Sequence, residues 1–145
     1  MRWAMCVALA VLVGVGAARV DAQKTLKPPL VSNIRAIATV GEVMQTMTIP
    51  FSNAVFEAGG EAPKDDKAWE AVRGQAVALA EAGNLLMLGA RAKDPAAWMK
   101  FSQAQVDAAE AVAKAAATKN ADRLSTAADA LYETCEACHK VYLPK

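Results

Sequence analysis

The chain has 145 residues, 54% of them hydrophobic and only 6% aromatic, with 16 Lys+Arg against 15 Asp+Glu. That length allows one domain with a single buried core, and a net charge of +1 excludes a nucleic-acid binder that works by neutralising phosphates. Ample apolar content with little net charge also excludes a disordered chain, and a single histidine excludes any multi-histidine metal site.

Residues 1–22 read as a secretory signal peptide. Arg2 supplies the positive start, Trp3–Ala18 is apolar, and Val20-Asp21-Ala22 fits the small-residue rule for cleavage before Gln23. The apolar stretch is shorter than the roughly 20 residues a bilayer span needs. Cleavage, export to the periplasm and no lasting membrane span are therefore expected. Cys6 leaves with this segment, and the domain of residues 23–145 keeps balanced charge with Cys135, Cys138 and His139.

After a polar lead-in closed by Pro28-Pro29, four helical segments are predicted in chain order. The first runs from about Leu30 to Glu57, with an inward stripe at Leu30, Ile34, Ile37, Gly41, Met44, Thr48, Phe51 and Val55. Pro50 lacks a backbone donor and crowds the preceding turn, so a kink or break is expected near Thr46 to Pro50. Gly59-Gly60 and Pro63 mark a loop.

Asp65 or Asp66 caps the second helix, whose stripe is Trp69, Val72, Ala76, Leu79, Gly83, Leu86 and Ala90. Asp94-Pro95 opens the third, with Trp98, Phe101, Gln105, Ala108, Val112 and Ala115 inward. Asn120 caps the fourth, with Leu124, Ala128, Leu131, Cys135, Cys138 and Tyr142 inward and Pro144 as the stop. No stretch alternates with period two. The expected fold is all-α, an antiparallel up-down-up-down four-helix bundle.

Cys135-Glu136-Ala137-Cys138-His139 is the C-x-x-C-H pattern of covalent c-type haem attachment. Its spacing has a chemical reason: the two thiols add to two vinyl groups on one porphyrin edge, and the adjacent imidazole reaches the iron. Cys135 and His139 stand four apart and so share a helix face. A structural zinc site wants four ligands, and residues 23–145 offer at most three from Cys and His. A thioredoxin-like dithiol would open a helix after a strand, not lie near the end of the last helix of an all-helical chain.

A signal peptide, four helices and a single C-E-A-C-H in the last turns of the C-terminal helix resemble the class II cytochromes c, the cytochrome c prime family. The resemblance covers residues 23–145 and rests mainly on the motif and its position. It implies a periplasmic four-helix bundle, often a homodimer, with one haem c held between the helices near the C-terminal one. It further implies electron transfer with redox partner proteins, or binding of nitric oxide or carbon monoxide. Two positions depart from the family pattern: no Arg follows His139, where Lys140 stands, and Val40 precedes Met44 where many members carry Arg.

One histidine rules out a bis-histidine haem, so a protein ligand opposite His139 would be a methionine. Residues 23–145 contain Met44, Met47, Met87 and Met99. The resemblance places the distal residue on the first helix, which selects Met44 or Met47, and Met44 lies on the inward stripe with Gly41 clearing space one turn earlier. Coordination by Met44 gives a six-coordinate electron carrier. A methionine that only lines the pocket leaves a five-coordinate iron open to a small gas, and a pocket without hydrogen-bond donors disfavours dioxygen relative to carbon monoxide or nitric oxide. No distal His or Arg pair suits peroxide cleavage, so an enzyme is not expected.

Overall fold

The computed structural model describes residues 34–143. The signal-peptide reading of residues 1–22, the lead-in, Leu30 and the Pro144 stop all lie outside the described residues. The helices belong to the unit Arg35–Lys145. Among the described residues there are four helices and no strand, and none of the helices is long and apolar enough to cross a membrane.

The first helix, α1, is continuous but made of three pieces: Val40–Val43, a π-helical turn Met44–Thr48, and Ile49–Gly60. It starts ten residues later than the sequence suggests. Thr39 caps it: Glu42 N donates to Thr39 Oγ1 at 3.2 Å, and Thr39 N donates to Glu42 Oε2 at 2.7 Å. This reciprocal box satisfies two donors that a helix start would otherwise leave free. Ile34 and Ile37, expected inward, are non-helical and exposed, and Gly41 is exposed as well. The Gly59-Gly60 pair is the last helical turn rather than a loop.

Of the kink or break expected near Thr46 to Pro50, the break does not occur. Pro50 has no N–H and its ring crowds the Thr46 carbonyl, yet the helix passes through by widening: the N–H of Ile49 reaches back five residues to the carbonyl of Met44. The widened turn advances the buried face, so Val43, Thr48, Ser52, Val55 and Ala58 point inward in place of an unbroken α-helical stripe.

Two of the other three starts follow their expected caps, and the third begins at Ala97, past Asp94-Pro95, with Ala96 rather than Asp94 at the N-cap. Helix α2 (Asp66–Leu86) is capped by Asp65, whose Oδ1 accepts from Ala68 N at 2.8 Å. Before α3 (Ala97–Ala117), Asp94 Oδ1 gathers the N–H groups of Ala96, Ala97 and Trp98. Asn120 Oδ1 accepts from Arg123 N at 2.9 Å at the head of α4 (Ala121–Tyr142). Ala90, expected on the α2 stripe, lies past the helix end and is exposed.

Consecutive helices pack on one another and α4 packs back on α1, an arrangement compatible with a four-helix bundle. Two apolar clusters fill it. The larger, built on Leu79, Val112, Leu124 and Leu131, is rich in alanine and includes Trp69. The smaller joins Val43, Ala82, Leu86 and Trp98, with Met44, Met47, Met99 and Tyr142 against it. Arg91, in the α2–α3 connection, is buried beside this second cluster and donates to the carbonyls of Ala38 at 2.8 Å and Leu85 at 2.9 Å. Those bonds tie the segment entering α1 to the end of α2.

Candidate functional site

A cavity of about 630 Å³ opens between α1 and α4, within the usual range for small-molecule and cofactor sites. Its walls include Met44 and Thr48 from α1, and Cys135, Cys138 and His139 from α4. Met47 packs on the second cluster without lining this cavity. Met87 belongs to the other cluster and Met99 to the second, and neither reaches the cavity. The structure thus brings four of the residues singled out in the sequence to one place: Met44, Cys135, Cys138 and His139.

The local geometry explains the placement. Cys135 and Cys138 lie one turn apart near the end of α4, half-buried, and neither is in a disulfide. Burial pushes both thiols up from the ordinary cysteine pKa, toward the neutral form. A hydrogen bond from the Thr134 side acts in the opposite direction on Cys135, and the neighbouring Cys135 raises Cys138 further. Buried neutral thiols are unlike the activated thiolates of disulfide exchange. His139 is exposed and lines the open side of the cavity.

Aromatic side chains frame the space. Trp98 and Tyr142 meet edge to face at 4.9 Å between ring centroids, and Phe56 and Tyr132 do so at 5.7 Å. Trp98 Nε1 donates to the carbonyl of Leu86 at 2.8 Å, so the indole is fixed from behind. Tyr142 Oη donates a short hydrogen bond to Asp94 Oδ2. That bond pushes the phenol up to about 12 and holds the Asp94 carboxyl below its usual range, with help from the helix-start N–H groups. Trp69, the other inward tryptophan, lies in the alanine-rich cluster away from this site.

A second, smaller void of about 30 Å³ lies behind Met44, against Leu86, Trp98 and Phe101, and it also borders both thiols and His139. Thr48 lines both spaces, and its hydroxyl is buried without a hydrogen-bond partner. Sequence reasoning placed Thr48 on the inward stripe but gave it no function. Its signal was the Pro50 two residues on, which forces the widened turn. Gly41 lines the large cavity, and a methyl group added there would touch nothing within 4 Å.

The donors that face this space are two thiols, an imidazole and a thioether, a set suited to iron, copper or zinc rather than to magnesium or calcium. Among the described residues, no group of three or more His, Cys, Asp or Glu side chains is gathered to hold a metal ion. No family model, curated protein or solved structure matches the chain.

Proposed function

We propose that this chain is an exported c-type cytochrome: one haem c fixed by thioether bonds to Cys135 and Cys138, with His139 and Met44 as axial ligands, carrying electrons in the periplasm. The observation that carries the reading is that Met44 and His139, 95 positions apart in sequence, line one cavity with both free thiols. The space left beside Gly41 and the cavity volume suit an apolar macrocycle. Under this reading the helices alternate in direction and the haem lies against α4.

When bound, haem supplies a one-electron iron couple, and ligation by His and Met raises its potential. The chain's own part is tethering, orientation and exclusion of water. Cys135 and Cys138 would tether the group, His139 and Met44 would hold it from two different helices, and Trp98, Phe56 and Tyr142 would shield it from water. Redox proteins are the natural partners, and a second copy of the chain is a further one.

A second reading, a gas-binding haem protein with a vacant sixth position, draws support from the unpartnered Thr48 hydroxyl beside Met44. One experiment separates the two. The full chain is expressed with its leader in a host that attaches haem to exported proteins. Haem that stays with the polypeptide on a denaturing gel is expected, and its absence sinks both readings. A low-spin ferric spectrum, with slow or no carbon monoxide binding until Met44→Ala, supports the carrier. A high-spin spectrum with ready carbon monoxide binding supports the gas-binding protein.

A further inference from the structure

The Thr48 hydroxyl stands apart from every other threonine hydroxyl among the described residues. Those of Thr46, Thr118, Thr126 and Thr134 each donate to a carbonyl three or four residues back, and that of Thr39 donates to Glu42. Thr48 makes no such bond, and it lies in the widened turn where the carbonyl of Met44 accepts from the N–H of Ile49. The result is a hydroxyl 95% removed from solvent, by residue, with no partner. An unmade hydrogen bond of this kind costs about 1–3 kcal/mol, a cost that an acceptor entering the adjoining void would offset.

Three of the other donors in the wall of the small void are already used. Trp98 Nε1 donates to Leu86, Gln105 Nε2 to Leu79 at 3.3 Å, and Thr134 Oγ1 to Leu131 at 2.7 Å. The void holds about 30 Å³, above the roughly 10–15 Å³ that one water needs. It therefore has room for a ligand of one or two heavy atoms, between Met44 and the turn that carries Cys135, Cys138 and His139.

We propose that the Thr48 hydroxyl is the hydrogen-bonding subsite for a diatomic ligand seated beside Met44, and that it selects ligands which accept a hydrogen bond over those which do not. The proposal rests on the haem reading, with the Met44 thioether moved aside when the ligand enters. A hydroxyl donor at this place shifts the balance between dioxygen, which accepts strongly, and carbon monoxide, which accepts weakly.

The test uses the full haem-loaded chain and its Thr48→Val and Thr48→Ser variants, each also in combination with Met44→Ala to open the site. The probes are carbon monoxide and dioxygen. Thr48→Val keeps the shape and removes the donor. It is expected to lower the dioxygen-to-carbon-monoxide affinity ratio about tenfold and to shift the infrared stretch of bound carbon monoxide, with Thr48→Ser restoring both. An unchanged ratio and stretch in Thr48→Val overturn the proposal while leaving the haem reading intact. Melting of the ligand-free proteins adds a readout independent of gas binding. Thr48→Val should melt higher than the parent, because an unpartnered buried hydroxyl gives way to a methyl group. A lower melting temperature means the hydroxyl already has a partner, and overturns the proposal. Absence of covalent haem from the parent chain overturns the haem reading and this proposal together.

Discussion

The two apolar clusters are built to different rules. The larger is closed by small residues: a methyl group added at Gly59 would come within 2.6 Å of Ala128 Cβ, and one at Gly83 within 2.7 Å of Val106 Cγ2. Alanines at 76, 109, 115 and 116 let the helices come close. The smaller cluster is assembled from methionine and aromatic side chains around open space. Close packing at one end fixes the helices, and this permits the other end to stay unfilled without collapse.

The sharpest break in this comparison is chemical. Under the proposed haem reading, Cys135→Ala with Cys138→Ala should abolish haem that resists denaturation, read by in-gel haem staining, while the alanine-rich end still folds. Next in size, Leu79→Ala removes a fully buried side chain from the closed end and should cost about 2–5 kcal/mol in chemical denaturation, with the visible spectrum unchanged. Gly59→Ala should cost about 1–3 kcal/mol by overpacking, because the backbone-fixed methyl of Ala128 cannot move aside as a long side chain would. At the open end the order reverses: Met44→Ala should shift the melting temperature less than Leu79→Ala and change the spectrum more.

The smallest expected effect is pH-dependent. Tyr142 is held above its unfolded pKa by Asp94, so its stabilisation is complete below about pH 10 and lost as pH rises through about 12. Asp94 is depressed, so its share is present above its usual carboxylate range and lost in acid. Tyr142→Phe should therefore be less stable than the parent at neutral pH, and urea midpoints of the two should converge at strongly alkaline and strongly acid pH.

Most of the helical layout was legible, because capping chemistry is local. Asp65, Asp94 and Asn120 announce their helices within three residues. The first helix shows the limit of periodicity. Its apolar spacing continued upstream to Leu30, while the decisive signal was the Thr39-x-x-Glu42 box, whose four residues outweigh a stripe that Ile34 and Ile37 leave exposed. Pro50 announces a kink or break near Thr46 to Pro50, and the structure has a widened but unbroken turn there. A helix packed against neighbours keeps its path by widening one turn, since interruption would expose several backbone groups at once.

The sequence by itself determined the chemistry on offer. Cys135, Cys138 and His139 are fixed relative to one another by the geometry of a single helix, and that needs no knowledge of the rest of the chain. The tertiary structure decided what faces them. Met44 rather than Met47 lines their cavity because the widened turn sets the register of α1 against α4, and Thr48, whose hydroxyl has no partner, lies in the same turn. Contacts between helices depend on rotation of one about its axis, and a single extra residue in a turn changes that rotation while leaving the one-dimensional pattern nearly the same.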